Sequence, residues 1–293
     1  MRMSAARLRR VGVGALALVL AGALWELYKL VGPAAGGDLL GVSLLPRADD
    51  VAMPHVAEIL ARVAAPETSA AGAASVLQAM ALACWFTLRV ALVGWIVGVV
   101  VGLLLAMGMQ RFALVESAVY PWVVLSQTVP LIALAPLVVG WGGRIQLGSF
   151  GWDRWMSVAV IAAYLAFFPV AVGALRGLQS PDGVHVDLFR SQAAGWWRTF
   201  WRLRLPASVP YLLPALRLGA ATAVVGAIVA EVSTGTKGGI GRMIIAYAQA
   251  ASGDPAKPWA AILAAALLGL LAAGLVTLLG VPLARFRLAE EPA

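Results

Sequence analysis

Five stretches of this chain contain no Asp, Glu, Lys or Arg at all: Val11–Trp25, Val90–Gln110, Ser117–Gly143, Trp155–Leu175 and Pro258–Ala284. A sixth, Tyr211–Ala230, matches them once Arg217 is accepted near its end. A lipid hydrocarbon core is crossed by about 20 mostly apolar helical residues, so the pattern predicts six transmembrane helices. Composition points the same way. The chain is 61% hydrophobic and 12% charged, against about 25% charged residues in a typical soluble domain. A water-soluble fold of 293 residues would need more polar surface than these residues supply. The fold class is therefore all-α integral membrane protein. The net charge of +8 does not indicate a nucleic-acid binder, because the basic residues form no solvated, aromatic-interleaved face.

The charge is read as topology. With the N-terminus in the cytoplasm, the inside segments collect Arg2, Arg7, Arg9, Arg10, Arg111, Arg176, Arg190, Arg198, Arg202, Arg204, Arg217, Arg285 and Arg287, thirteen in all. The outside segments hold eight: Lys29, Arg47, Arg62, Arg144, Arg154, Lys237, Arg242 and Lys257. Cytoplasmic loops carry the excess of Lys and Arg, so both termini are placed inside. Arg2 to Arg10 followed by an apolar run also resembles a signal peptide. However, Trp25, Glu26, Tyr28 and Lys29 stand where small residues should mark a cleavage site, and the run is read as a retained first helix. The segment Gly32–Gln78, with four prolines and the amphipathic run Val51–Val63, reads as an external connector bearing one surface helix, too short to bury a core alone.

Gly94, Gly98 and Gly102 recur every four residues on one face of the second span, a small-xxx-small pattern that lets another backbone approach closely. Pro121, Pro130 and Pro136 interrupt the third apolar stretch, and Ser126, Gln127 and Thr128 precede Pro130. Polar groups at that depth should face protein or a pathway. The single cysteine, Cys84, excludes an intrachain disulfide. The two histidines, His55 and His185, lie too far apart in sequence to suggest a metal site, and no cofactor is implied.

Between the fourth and fifth spans runs Pro181–Pro210, whose part Asp187–Arg204 is predicted to be one helix stopped by Leu205–Pro206. Arg190, Arg198 and Arg202 cluster on one side, with Phe189, Trp196, Phe200 and Leu203 on another. Alone, this basic amphipathic helix would suit the surface of the inner leaflet.

The stretch FWRLRLPASVPYLLPALRLGAATAVVGAIVAEV resembles the region around the coupling loop in permease subunits of ABC importers, in the nitrate, sulfonate, taurine and bicarbonate branch. That loop pattern is Glu-Ala-Ala, three residues, Gly, nine residues, an aliphatic residue, one more, then Leu-Pro. Anchoring on Leu205 and Pro206 puts the aliphatic residue at Leu203, the glycine position at Ala193 and the triplet at Asp187, Leu188 and Phe189. The acid is kept as Asp, while both alanines and the glycine are replaced. TLRVALVGWIVGVVVGLLLA, SQTVPLIALAPLVVGWGG and AEVSTGTKGGIGRMIIAYAQ are also similar to this branch, so the resemblance covers Met80 to Leu283. An insertion-like segment, Arg144–Arg154, departs from it.

The resemblance implies a type I importer permease fold with a cytoplasmic coupling helix between spans four and five. It implies partnership with cytoplasmic ATPase subunits and an extracytoplasmic binding protein. Ser126, Gln127, Thr128 and Glu231 are then candidates to line the translocation pathway. Residues 1–79 form a cytoplasmic tail, first helix and connector, 80–284 the transmembrane domain, and 285–293 a cytoplasmic tail. A single docking helix with no repeat elsewhere predicts a homodimer, since ABC ATPases act in pairs.

Other functions fit less well. Gly235–Gly241 (GTKGGIG) lacks the spacing of either phosphate-binding glycine template and reads as a tight external turn. An ion-coupled secondary transporter should hold ionisable residues at bilayer depth, and Glu26, Arg89, Arg217 and Glu231 all sit near helix ends in this reading. A membrane enzyme would need an acid–base or metal cluster that the sequence does not supply.

Overall fold

The computed structural model describes residues 5–39, 42–70 and 72–280. The last four residues of the sixth predicted span and the basic pair Arg285 and Arg287 lie outside them. Eleven helices follow in order among the described residues: α1 (Ala5–Val31), α2 (Val56–Ala64), α3 (Val76–Arg111), α4 (Ala113–Leu125), α5 (Leu131–Gly142), α6 (Arg154–Gln179), α7 (Gly183–Ser191), α8 (Trp196–Thr199), α9 (Leu205–Thr234), α10 (Ile240–Gln249) and α11 (Ala256–Leu279). Two short antiparallel hairpins interrupt them, β1 (Gly37–Leu39) with β2 (Val42–Leu45) and β3 (Gln146–Leu147) with β4 (Phe150–Gly151). Five helical runs are long and apolar enough to cross a membrane: Gly12–Val31, Val76–Arg111, Arg154–Gln179, Trp196–Thr234 and Ala256–Leu279.

The third predicted span is not one straight helix. It begins at Ala113, and Ala113–Thr128 meets Leu131–Gly142 at 103°. Only Pro130 breaks it, since Pro121 and Pro136 lie inside α4 and α5. Proline disfavours helical geometry in the residue before it, and Val129 is accordingly extended, at φ −71° and ψ 123°. At the bend the Ser126 carbonyl accepts from the Val129 amide at 3.4 Å and also from the Tyr164 hydroxyl of α6.

The chain divides into two compact units, Met1–Met80 with Ile244–Leu263, and Ala81–Met243 with Ala264–Ala293. Small residues organise the second. A methyl group added to Gly98 of α3 would stand 2.8 Å from the Ala163 carbonyl oxygen and from the Ala166 Cβ of α6. At Gly102 it would meet the Phe167 carbonyl at 2.8 Å, and at Gly94 that of Ala159 at 2.6 Å. Helix α9 meets α6 in the same way, for a Cβ on Gly177 would lie 2.8 Å from that of Ser208. Lipid supplies no hydrophobic drive between helices, so such close backbone approach, with its dispersion contacts, holds them together. The Thr222 hydroxyl donates to the Leu165 carbonyl at 3.2 Å, and Trp95 Nε1 to that of Leu216 at 3.1 Å.

The first unit shows why the connector is ordered although it has no core of its own. Residues from the far end of the sequence complete it. Arg62 of α2 pairs with Asp254 at 2.7 Å. The Tyr247 hydroxyl donates to Glu67 at 2.9 Å, and Lys257 donates to the Glu67 carbonyl at 2.6 Å. Trp25 stands edge-on to Trp259, their centroids 4.8 Å apart. Lys29 donates both to Asp50 and to the Met53 carbonyl, and this ammonium holds the Asp50 carboxyl below its ordinary pKa. Helix α2 starts at Val56, so Val51–Met53, the beginning of the predicted amphipathic run, is turn instead.

Burial first, and then the bond to Glu67, raises the Tyr247 pKa. A group whose folded pKa is raised contributes stability below its unfolded value, about 10 for tyrosine, and loses it as pH rises further. The protection of α2 amides, exchange taken relative to the intrinsic base-catalysed rate at each pH, should therefore fall above pH 10 in the native chain. In Tyr247→Phe that alkaline step should vanish, at a cost of about 1 kcal/mol at neutral pH for the lost hydrogen bond.

Candidate functional site

The loop between α6 and α9 is not the single helix Asp187–Arg204. It opens with α7, Gly183–Ser191, preceded by Asp182 at the N-cap position. Asp187 therefore lies in mid-helix. Its carboxylate pairs with Arg190 at 3.1 Å, and both side chains are open to solvent, where such a pair contributes little. Leu188 is exposed and Phe189 half-buried.

Helix α7 ends in a tight turn built on Ala193. The Ala194 amide donates to the Phe189 carbonyl at 3.0 Å and the Ala193 amide to that of Arg190 at 2.9 Å, while Ala193 takes φ +52°. These paired bonds around a left-handed residue form a Schellman turn, where glycine is the usual choice. Among the described residues, Ala193 is the one non-glycine with positive φ. A sequence reader expects the helix to continue through an alanine, which is why the break escapes prediction.

From Trp196 the chain is helical without interruption to Thr234, so Pro206 does not stop it. A proline inside a helix lacks an N–H and presses on the carbonyl four residues earlier. Phe200–Arg204 widens into a π turn just before it, with the Leu205 amide donating to the Phe200 carbonyl, and the wider turn accommodates the ring. The aromatic cluster on this turn is an anchor. Phe200 is buried against Ala106, Met109, Ala174, Leu175 and Leu178 and stacks on Trp196 at 5.1 Å. Arg204 Nη1 donates to the Leu178 carbonyl at 2.8 Å, and Arg111 lies over the Trp196 ring. Leu203, Leu205 and Pro206 are half-buried at this junction. The return limb of the loop is thus fixed to α3 and α6, while α7 has no buried residue.

Ser126, Gln127 and Thr128 form a 3₁₀ turn at the bend of the broken span. Their hydroxyls are used locally, Ser126 donating to the Val123 carbonyl at 2.7 Å and Thr128 to that of Leu125 at 2.8 Å. The Gln127 side chain is exposed.

Glu231 is 0% exposed at the end of α9. One carboxylate oxygen accepts from the Thr87 hydroxyl at 2.8 Å, the other from the Gly241 amide at 2.9 Å. Thr87 Oγ1 in turn accepts from the Ile240 amide at 3.0 Å. The carboxylate therefore ties α3, α9 and the first turn of α10 together. The glycine-rich segment makes this possible, since Gly235 and Gly238 take φ +65° and +96° and Gly239 lies so close that a Cβ would strike the Glu231 carboxyl. From sequence, a carboxylate near a helix end cannot be told from a solvated one.

Residues 98–281 match the family of binding-protein-dependent transport system inner membrane components. The chain belongs to this family. Its described helices accordingly form the type I importer permease fold, and it is a multi-pass membrane protein. The formylaminopyrimidine transport permease protein ThiX of Halalkalibacterium halodurans is 39% identical over 145 residues, 50% of this chain and 54% of that protein. The putative aliphatic sulfonates transport permease protein SsuC of Bacillus subtilis is 29% identical over 201 residues, 69% of this chain and 68% of its own. The taurine transport system permease protein TauC of Escherichia coli is 30% identical over 142 residues, 48% and 46% of the two chains. The match to ThiX thus spans about half of either protein.

The buried knot yields a prediction. Glu231→Leu leaves the Thr87 hydroxyl and the Gly241 amide without an acceptor, and about 3 kcal/mol of stability should be lost. Gly239→Ala, which drives a methyl group into the same carboxylate, should lower the thermal unfolding midpoint in detergent as Glu231→Leu does. Midpoints equal to the parent's in both variants would contradict the knot.

Proposed function

We propose that the chain is the permease subunit of an ATP-driven ABC importer, forming the route for a small solute delivered by an external binding protein. The observation that carries this is α7, an exposed helix with no buried residue, joined through the Ala193 turn to a limb pinned on α3 and α6. Such an arrangement suits a part that docks into another protein and passes its movement to the spans as a rigid body. ATP binding and hydrolysis then belong to separate cytoplasmic subunits. Asp187, Leu188, Phe189 and Ala193 make the docking surface, and Leu203, Leu205 and Pro206 the stiff link into α9. The solute is of the nitrate, sulfonate or taurine kind, or a vitamin precursor, in keeping with the names of the similar permeases.

In this reading both termini are cytoplasmic, the bent pair α4–α5 counts as one crossing, and Ser126, Gln127 and Thr128 border the route at its bend. Residues 1–79 carry the first helix and external connector and 80–284 the transmembrane domain. Two copies pair with two ATPases in the bacterial inner membrane, since α7 provides one docking site per chain. An ion-coupled secondary transporter is the less favoured alternative. Of the carboxylates it would need, Glu231 is consumed by Thr87 and Gly241, and Glu26 by His55 and the Val56 amide, at 2.7 Å each.

The test is reconstitution with the cognate ATPase and binding protein. Ala193→Leu should fold and insert but lose most ATPase stimulation and uptake, whereas Ala193→Gly, which relieves the left-handed backbone, should retain both. The intact assembly should contain two copies of the 30.5 kDa chain. Full uptake by Ala193→Leu, or one copy per two ATPases, would refute the docking role or the homodimer respectively.

A further inference from the structure

The sequence places Arg217 near the end of a span, and the packing of α6 on α9 places it in the middle. The two helices are antiparallel, and their contacts mark corresponding levels. Gly177 meets Ser208, Gly219 meets the Ala166 carbonyl, and Gly226 meets that of Ile161. Ala166 is the midpoint residue of the 26-residue α6. Arg217 is two residues from Gly219, about 3 Å along the helix axis. A guanidinium therefore sits close to halfway across the hydrophobic layer, where ionisable side chains are rare and serve function.

Its surroundings do not explain it. Lys29 has Asp50, Arg62 has Asp254, Arg204 has the Leu178 carbonyl, and Arg89 lies over the Trp85 and Phe86 rings. Among the described residues Arg217 has no carboxylate or carbonyl partner, and its Nε is enclosed without an acceptor. Successive helical residues are rotated by about 100°, which puts position 217 at the edge of the exposed stripe made by Tyr211, Leu218 and Val225. Leu213 and Ala220, one turn away on its other side, are buried. The position is thus half in the packed bundle and half on the open face of α9.

We propose that Arg217 is an oxyanion-binding site in the translocation route, taking the sulfonate, carboxylate or phosphate group of the transported solute at mid-membrane. The planar guanidinium forks onto two oxygens of such a group, and a fixed cation at this depth replaces the water the anion leaves behind. It favours anionic over neutral and cationic solutes. This inference rests on the permease reading given above and adds a solute charge to it.

The test reads the local field without knowledge of the solute. In the full assembly carrying Cys84→Ser, a cysteine is placed one turn to either side of Arg217, as Pro214→Cys or Ala221→Cys. Labelling rates are compared for anionic sulfonatoethyl methanethiosulfonate and cationic trimethylammonioethyl methanethiosulfonate. The anionic-to-cationic rate ratio should fall at least tenfold on adding Arg217→Gln, and Arg217→Lys should keep most of it, which separates charge from folding. An unchanged ratio in Arg217→Gln, or no labelling by either reagent, would overturn the site. Failure of ATP-driven uptake with the ratio intact would instead count against the permease reading and leave the anion site standing.

Discussion

Everything else in the second unit depends on how closely α6 lies against α3 and α9. Glycines and alanines on α3, α6 and α9 bring the backbones near enough that a single added methyl would overlap a carbonyl or another Cβ. In a bilayer this contact must replace the hydrophobic drive that packs soluble helices. It fixes the level of each residue of α9 against α6. It therefore sets where Arg204 reaches Leu178, and so where the loop between the helices is anchored. It also sets where Arg217 falls within the span and where Glu231 meets Thr87.

Much of the architecture is legible from residue order alone. The charge-free runs locate the spans because no other composition survives in lipid, and Gly94, Gly98 and Gly102 mark a face open to close approach. The features that escape a sequence reader each depend on something non-local or on a residue in an unusual role. Ala193 stands in a left-handed turn where glycine is the usual signal. Pro206 reads as a stop, yet the π turn at Phe200–Arg204 absorbs its ring. The Arg62–Asp254 pair joins residues 192 apart, and nothing near either residue announces the other. Glu231 looks like any carboxylate at a helix end until Thr87 and Gly241 are brought to it. Pro130 announces a break in the third span but not its angle of 103°.

These departures share a direction. Each converts a segment that seemed loose into one held at a defined place: the connector by Asp254 and Tyr247, the glycine-rich turn by Glu231, and the return limb of the loop by Phe200 and Arg204. Against this rigid background α7 is the exception, followed by the Ala193 turn and holding no buried residue.

The proposed topology puts α7 and its stalk in the cytoplasm and the connector outside. Single cysteines at positions 198 and 50, on a Cys84-free background, test it through a membrane-impermeant thiol reagent applied to intact cells or spheroplasts. The account predicts rapid labelling at position 50 and none at 198 until the membrane is permeabilised. Labelling of position 198 from outside, with position 50 protected, would contradict it.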